Sequence, residues 1–261
     1  MKPEFPATPS QIISQPDLAG AFSMPIFSPM ITAPPPYRYK NTKNVNILFK
    51  TDPELLAKLT PPPLKPAPDS LMIFYIGLFQ FADINFHYYE AGLFIPVIHA
   101  GLRGNYALVL YLDQANPIVG GREIYGWPKK EAEKILFSEY FRKITASVIR
   151  YGQTIIEVGF NSQQRLMTIP ERPNEPIFTL KYIPSAEKDA PPDVLKLIST
   201  RNDPDRCTEM SLGKASLKFN ASPYDDLLAK IPIQEIVYAD VIVHDFTMGY
   251  GEVVVDYLAG G

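Results

Sequence analysis

The sequence predicts a mainly β fold, in which antiparallel strands form a barrel or a sandwich that carries a few short helices. Proline accounts for 27 of the 261 residues, and it favours turns, sheet edges and extended segments over helix interiors. Tyrosine and phenylalanine contribute 15 residues each, and aromatic residues are enriched in strands. Segments of alternating apolar and polar residues recur along the chain, with glycines between them. Many strands with few helices are typical of antiparallel barrels and sandwiches.

The N-terminal part of the chain is predicted to be an extended, proline-rich arm over residues 1–36. Pro25, Pro29 and the run Pro34-Pro35-Pro36 exclude a regular helix there. We expect this arm to pack on its own domain or on a neighbouring subunit, although a flexible tail has the same composition. Residues 37–261 are predicted to form one domain.

The first regular elements are a strand and a short helix. Residues 44–50 alternate apolar and polar side chains, which predicts a strand. Thr51 and Glu54 have the spacing of a capping box, with Thr51 as the N-cap. A helix is therefore expected over residues 53–59, and the prolines at 61–63 end it.

A series of strands follows this helix. Residues 150–154 are predicted to form a hairpin turn around Gly152, and a second short helix is expected from Ser222 and Pro223, with apolar residues at 227, 228 and 231 on one side. The predicted strands cover residues 71–79, 93–100, 106–112, 146–151, 154–160, 167–168, 177–182, 194–199, 215–220, 236–245 and 252–258.

Composition and charge limit the classes of partner. The chain is 46% hydrophobic and 20% charged, which is typical of globular proteins. A formal net charge of −3 without a dense basic patch argues against a nucleic-acid partner. No apolar run reaches about 18 residues, and residues 1–6 lack the apolar core of a secretory signal. Cys207 is the single cysteine, so no internal disulfide is expected. The sequence therefore predicts a cytoplasmic protein that neither binds nor spans a membrane.

Residues 121–130, with the sequence GREIYGWPKK, are the most informative stretch of the chain. They end in the adjacent lysines Lys129 and Lys130, among apolar and turn-forming residues. A lysine has an ordinary pKa of about 10.4, and a lysine that attacks a carbonyl near neutral pH needs a value roughly 3–4 units lower. An apolar wall that excludes water favours the uncharged amine, and so does a second cation nearby. This segment contains residues suited to both effects.

Several segments carry a family resemblance that covers most of the chain. On these segments the chain resembles acetoacetate decarboxylase and its wider superfamily. The most specific match combines Gly-Arg-Glu at 121–123 with Pro-Lys-Lys at 128–130. The other matching segments are residues 46–52, 89–92, 95–97, 111–113, 235–237 and 256–258.

The resemblance implies a fold, an activity and two catalytic lysines. The fold is a cone-like, mainly antiparallel β-barrel of the mainly β (α+β) class with a few short peripheral helices, assembled as a homo-oligomer. The family uses the first lysine of the pair, here Lys129, to form a Schiff base with a β-keto acid such as acetoacetate. Lys130 corresponds to the neighbouring cation that favours the uncharged amine, and Glu90 to the active-site glutamate. Loss of CO2 through a protonated imine requires neither a metal nor an organic cofactor.

Two positions depart from the family pattern. The strand before Glu90 carries Tyr75 where the family has a second carboxylate, and Thr42 stands at the position of an arginine. Neither change touches imine formation, but both bear on the substrate. A tyrosine donates a proton or a hydrogen bond, so Tyr75 would also suit aldol or dehydration chemistry on another oxo acid. A third alternative is a binding protein that keeps the fold without turnover.

The remaining candidates have competing structural interpretations. Trp127, the only tryptophan, either packs in the core or forms the apolar wall around Lys129. Arg122 and Glu123 are adjacent, so they should point in different directions, and structural ion pairs are as plausible for them as substrate binding. Residues 131–134 resemble an exposed, charged helical turn, which would leave Lys130 in solvent and Lys129 inside. In that case dry surroundings, rather than Lys130, would keep the amine uncharged.

No metal site is expected. His87, His99 and His244 show no ligand spacing with Cys207.

Overall fold

A computed structural model describes residues 23–31, 33–81, 86–171, 173–225 and 227–259. Most of the predicted arm, residues 1–22 and 32, lies outside these residues. The mainly β prediction is confirmed, since the described residues contain fourteen strands connected into one sheet. The strands are β1 Tyr37–Lys50, β2 Lys65–Pro66, β3 Leu71–Phe81, β4 Phe86–His99, β5 Leu102–Leu112, β6 Lys129–Glu131, β7 Lys134–Tyr140, β8 Lys143–Arg150, β9 Gln153–Arg165, β10 Ile177–Ile183, β11 Val194–Thr200, β12 Asn202–Phe219, β13 Glu235–Met248 and β14 Glu252–Asp256.

The sheet is mixed, although most of its pairs are antiparallel. Its order is β14-β11-β10-β5-β4-β3-β1-β13-β12-β9-β8-β7, with β2 added to β4 and β6 added to β5. Strand β5 pairs in parallel with both β10 and β6. Within the described ranges no hydrogen-bonded pairing joins β7 to β14, so the sheet is barrel-like without closing.

The first helix, α1, spans Pro53–Leu59 as predicted, but its N-cap differs. Asp52 Oδ1, not Thr51, accepts the hydrogen bond from the Glu54 backbone N–H, at 2.9 Å. Pro53 occupies the first turn, where a missing N–H costs no helical hydrogen bond. Thr51, the predicted N-cap, is buried instead.

The segment after the lysine pair was predicted wrongly. Residues 131–134 are not a helical turn: Lys129–Glu131 form β6, and β7 begins at Lys134. Strand β6 forms a ladder with β5, and Ala132 and Ile135 bury their side chains in the core. These tertiary contacts outweigh the local helical preference of a charged run.

Three further local predictions need correction. The helix expected from Ser222 is only a 3₁₀ turn at Leu228–Lys230, and residues 167–168 are not a strand. Helix α2, Ala115–Gly120, was not predicted; it continues into a π-helical turn at Gly121–Tyr125.

The 150–154 hairpin is confirmed, with Arg150 paired to Gln153. Tyr151 and Gly152 have φ values of 52° and 69°, as a two-residue type I′ turn requires.

The core is divided into a largely aliphatic cluster and a smaller, aromatic one. The aromatic cluster gathers residues from β1, β3, β4, β5, β13 and the π-helical turn. Its buried members include Tyr39, Phe79, Tyr88, Phe94, Tyr125, Trp127 and Phe246. This cluster surrounds the side chain of Lys129, so the fold places the candidate nucleophile among aromatic rings.

Candidate active site

A cavity of about 310 Å³ lies beside the aromatic cluster. Four of the residues predicted for the site line it: Lys129, Glu90, Tyr75 and Trp127. Among the described residues that line it, Lys129 is the only lysine and none is an arginine. The structure therefore brings together residues that lie on three strands and on the loop before β6.

Lys129 reaches this cavity from the first position of the short strand β6. Its place is set by the parallel pairing with Leu110 of β5 and by the helix that precedes it. Gly121, at the start of the π-helical turn, lies against the lysine side chain. A Cβ on Gly121 would stand 2.6 Å from Lys129 Cδ and 2.8 Å from Cε, closer than atoms normally approach. Only glycine therefore lets the helix lie along the lysine without displacing it.

The amine of Lys129 pairs with a carboxylate inside the cavity. Lys129 Nζ lies 3.0 Å from Glu90 Oε2, and the two side chains are only 8% and 5% exposed. Glu90 comes from β4, and the neighbouring strand β3 supplies Tyr75, whose hydroxyl donates a hydrogen bond to Glu90 Oε1. The two oxygens of Glu90 thus have different partners, a phenol on one side and the amine on the other.

Tyr75 stays a neutral phenol in this position. Burial raises its pKa well above the ordinary value, and the charge and hydrogen bond of Glu90 raise it further. Its ring lies over Gly92 on the paired strand, where a Cβ would come within 2.4 Å of the ring. Gly92 therefore makes room for the Tyr75 ring beside Glu90.

Aromatic rings enclose the pair. Lys129 Nζ lies 5.7 Å from the centre of the Tyr88 ring, which stacks on Phe79. Phe94 stacks on Tyr75 and meets the edge of Trp127 at a centroid distance of 6.2 Å. Burial also raises the pKa of Tyr88 well above its ordinary value. These rings form an apolar wall around the amine and the carboxylate.

Lys130 lies on the other face of the sheet, because successive residues of a strand point to opposite sides. Its Nζ is 2.9 Å from Asp225 Oδ2, and its side chain is 39% exposed. Asp225, only 2% exposed, also accepts a hydrogen bond from Tyr111 at 2.9 Å and lies 3.6 Å from Arg150 Nε. The structure therefore does not bring Lys130 to the cavity.

Comparison of the sequence with known proteins identifies the family of the chain. The family described as Acetoacetate decarboxylase (ADC) matches residues 23–258. The chain belongs to the acetoacetate decarboxylase family. The acetoacetate decarboxylase of Burkholderia vietnamiensis is 34% identical over 247 residues, which cover 92% of this chain and 96% of that protein.

Solved structures show the same fold. The acetoacetate decarboxylase of Legionella pneumophila superimposes with a TM-score of 0.80 at 27% identity, covering 96% of this chain and 100% of that one. The enduracididine biosynthesis enzyme MppR, complexed with the condensation product of pyruvate and imidazole 4-carboxaldehyde, gives a TM-score of 0.79 at 19% identity. That match covers 91% of this chain and 97% of MppR, and it supports the fold alone. Membership in the acetoacetate decarboxylase family confirms the expectation of a carboxy-lyase of this type.

Two residues of the acetoacetate decarboxylase signature lie outside the cavity. Arg122 is exposed, and its Nη1 donates a hydrogen bond to the backbone oxygen of Lys129 at 3.2 Å. Glu123 Oε2 accepts a hydrogen bond from Ser23 Oγ at 2.8 Å. Arg122 thus binds the backbone of the strand that carries Lys129, whereas Glu123 binds a residue of the arm.

Thr42, at the family's arginine position, is fully buried opposite His244 of β13 and does not line the cavity.

Sequence reasoning did not single out Tyr88 as a cavity residue. Its signal was nevertheless present, because Tyr88 precedes Glu90 by two positions and a strand places such residues on one face.

The described residues contain no group of three or more histidine, cysteine or acidic side chains that could hold a metal ion. None of the helices in those same ranges has the length and hydropathy needed to cross a bilayer.

Proposed function

We propose that this protein decarboxylates a β-keto acid through a Schiff base on Lys129. The observation that carries the proposal is the amine of Lys129, buried among aromatic rings and 3.0 Å from Glu90. Acetoacetate, named in the descriptions of relatives, is the simplest substrate of this class. The reaction needs an amine that attacks the ketone and a nearby group that moves protons, and Lys129 and Glu90 have the side chains for these two roles.

The first half of the reaction forms the imine. From the ion pair, Lys129 Nζ first passes one proton to Glu90, and the uncharged amine then attacks the ketone carbon while Glu90 gives that proton to the ketone oxygen, which becomes the carbinolamine hydroxyl. Glu90 Oε2 next takes a second proton from the nitrogen and gives it to this hydroxyl, which leaves as water. The product is a protonated imine whose positive nitrogen attracts electrons from the adjacent carbon–carbon bond.

The second half breaks that bond. Its electron pair moves toward the imine nitrogen, CO2 leaves and an enamine remains. A proton restores the imine, and hydrolysis releases the ketone and the free lysine. Among the described residues no arginine lines this cavity, although Arg38 and Lys129 together line a neighbouring one of about 370 Å³. A carboxylate held in dry surroundings is raised in free energy relative to uncharged CO2, which favours its loss.

Borohydride trapping with acetoacetate, combined with measurement of released CO2, tests the proposal. Borohydride reduces an imine to a stable secondary amine, so the mass of the Lys129 peptide should increase. We expect Lys129→Ala to lose both the adduct and CO2 release. The matched control is Lys134→Ala, which removes an exposed lysine of β7 and should retain both.

Tyr75 favours a second candidate function, a Schiff-base aldol or dehydration reaction on another oxo acid. Its neutral phenol donates to Glu90 at the position where the family has a second carboxylate. An adduct without CO2 release would select this alternative. If no oxo acid gave an adduct, the protein would be a binding protein rather than a Schiff-base enzyme.

Three broader expectations remain predictions from the sequence: homo-oligomeric assembly, a single domain over residues 37–261 and a cytoplasmic location. Light scattering coupled to size-exclusion chromatography tests the first. A mass equal to one 29.3 kDa chain would contradict it.

A further inference from the structure

The second cavity at Lys129, of about 370 Å³, adjoins the cavity that contains Glu90. The described residues that line both cavities are Lys129, Tyr39 and Met248, so their side chains form the boundary between the two spaces. The volume of the second cavity is within the range of about 300–1,000 Å³ that is usual for small-molecule sites. Lys129 therefore stands between two spaces, and its partner Glu90 lines only the first.

The amine of Lys129 lies at the edge of the second cavity. Gly121 lines the second cavity but not the first, and a Cβ at this position would stand 3.3 Å from Lys129 Nζ. Because glycine has no side chain, the backbone of the π-helical turn leaves this side of the amine uncovered. A group bonded to the amine can therefore extend along Gly121 into the second cavity.

The walls of the second cavity are mainly apolar. Phe81 and Phe86 pack at a ring-centroid distance of 6.0 Å, and Tyr37 meets the edge of Phe81 at 5.9 Å. The arm contributes Ile31, which is only 8% exposed, and Pro34. Such walls stabilise an apolar ligand, because its surface is removed from water.

Two tyrosines of these walls have already used their hydroxyl hydrogens. Tyr37 OH donates to the backbone oxygen of Ala33 at 3.0 Å, and Tyr125 OH donates to the backbone oxygen of Gly249 at 3.0 Å. Neither hydrogen is available to a ligand. The two residues thus contribute aromatic rings, which favour hydrocarbon over a polar group.

The two cavities differ in charge as well as in polarity. Glu90 and several asparagines line the first cavity. None of the described residues that line the second is acidic, and its charged residues are Lys129 and the exposed Arg38. The difference can separate a polar group from an apolar one when both belong to the same bound ketone.

A β-keto acid bound as an imine carries two such groups on its reacting carbon. One is the carboxymethyl group, which loses CO2, and the other is the rest of the chain. They point away from each other, because an imine carbon is trigonal. In acetoacetate the second group is a single methyl, which is far smaller than a cavity of about 370 Å³.

From these observations we propose that the second cavity binds an alkyl chain of the substrate, while the carboxymethyl group lies in the first cavity. The natural substrate is then a β-keto acid in which an alkyl chain replaces the methyl group of acetoacetate. Met248 suits the boundary, because methionine is unbranched and adapts to irregular spaces. This inference rests on the proposed decarboxylase function and specifies its substrate class.

A series of β-keto acids of increasing length tests the chain site. Burial of one methylene group is expected to raise kcat/KM by about fourfold. We therefore expect 3-oxohexanoate, which has two methylenes more than acetoacetate, to have a kcat/KM at least about tenfold higher than acetoacetate. The gain should appear mainly in KM, because the chain is bound equally before and during the reaction. 3-Oxooctanoate extends the series by two further methylenes.

A size series at Ile31, which lines only the second cavity, locates the chain. Ile31→Ala widens this cavity and should move the preference toward 3-oxooctanoate. Ile31→Phe narrows it and should move the preference toward acetoacetate, so that the ratio of kcat/KM for the eight-carbon and four-carbon acids differs at least about tenfold between the two variants. The control is Ile135→Ala, at a buried isoleucine that lines neither cavity; it should keep the wild-type preference. Thermal unfolding of each variant separates loss of folding from a change in preference.

The possible failures are distinguishable. Equal kcat/KM for the three acids in a protein that releases CO2 from acetoacetate would overturn the chain site alone. So would a preference for long acids that the size of residue 31 does not change, since the chain would then lie elsewhere. A higher kcat/KM for a six-carbon β-keto acid that ends in a second carboxylate would show that this cavity selects an anion instead. Absence of any adduct or CO2 from every acid would overturn the proposed decarboxylase function.

Discussion

Glu90 Oε2 lies 3.0 Å from Lys129 Nζ, and both side chains are buried. Such a pair satisfies two charges that would each be costly alone in a dry cavity. A proton moved from the amine to the carboxylate leaves two uncharged groups in the same place. In the proposed mechanism the ion pair is therefore the resting arrangement, and one short proton transfer gives the uncharged amine.

Replacement of Glu90 tests this transfer. Glu90→Gln keeps the size of the side chain but removes the proton acceptor, so we expect kcat to fall by about 100-fold or more. Steady-state CO2 release and the rate of borohydride trapping measure the effect. Glu235→Gln, at an exposed ion pair with Lys50, is the control and should retain full activity. Normal turnover in Glu90→Gln would remove Glu90 from the proton-transfer mechanism.

Tyr75→Phe removes the phenol that donates to Glu90 and keeps the ring that stacks on Phe94. A hydrogen bond to a charged group contributes about 1.5–3 kcal/mol, so a roughly ten- to hundredfold loss in kcat is expected. The pKa of Tyr75 is raised, so the phenol stays protonated throughout the range below its ordinary value of about 10. Tyr75→Phe should therefore lower the rate at every pH between 5 and 9 without changing the shape of the pH–rate profile. If a rising or falling part of the profile between pH 5 and 9 disappeared in the variant, Tyr75 itself would titrate in that range.

Gly121→Ala should displace the nucleophile while the fold persists. The added methyl would stand 2.6 Å from Lys129 Cδ, and an error of about 1 Å in the position of a reacting group costs roughly 100-fold in rate. Gly121 has a helical φ of −61°, so alanine is compatible with its backbone. Gly120→Ala is the matched control, because the new Cβ meets only the end of the Ile31 side chain, at 3.3 Å. Equal trapping rates in the two variants would contradict the role given to Gly121.

Lys130→Ala should leave the pH dependence of imine formation unchanged, because the Lys130 amine binds Asp225 on the opposite face. The resemblance by itself implied an effect on the amine of Lys129. We expect instead a loss of thermal stability, since buried Asp225 loses one of its partners. Borohydride trapping between pH 5 and 9 compares the variant with wild type. If the pH profile of the variant were displaced along the pH axis, Lys130 would influence the amine of Lys129, as the resemblance implies.

Asp245 should make the stability of the protein depend on acid pH. Burial alone would raise its pKa, but the Asn41 N–H at 2.8 Å, Lys40 and Arg206 lower it below the ordinary value. A lowered pKa stabilises the fold above the unfolded-state value, about 3.9, and this stabilisation is lost as the pH falls through the folded-state value. We therefore expect Asp245→Asn to be less stable than wild type at pH 7, with the difference reduced at pH 3. Urea unfolding at the two pH values measures it, and a constant difference would contradict the assignment.

Strand positions were predictable where burial on one face imposes alternation. Strands β3, β10 and β11 are close to their predicted bounds, and α1 is bounded by prolines in the sequence. Strand β6 was not predictable, because the charged run at 129–131 hides the alternation and only pairing with β5 makes it a strand. Helix α2 contains Pro117 and Gly120, both poor helix formers, so its existence depends on packing that the sequence does not display.

The site was predictable in part, and for a physical reason. The family resemblance nominated Lys129, Glu90 and Tyr75, and Trp127 was a candidate for the apolar wall; the structure places all four around one cavity. Arg122 and Glu123 belong to the same signature but contact backbone and Ser23, because residues adjacent in a helical turn point in different directions. Asn105 and Asn202 also line the cavity but leave no local pattern, since strands distant in the sequence bring them together.

The pairing of β6 with β5 also bears on the duplicated lysine. A slip of this three-residue strand by one position would bring Lys130 to the place of Lys129 and Glu131 to the place of Lys130. Asp225 would then face a carboxylate instead of an ammonium group, so the charge on the opposite face of the sheet opposes this slip. The buried acid outside the cavity thus helps to decide which of the two lysines enters it.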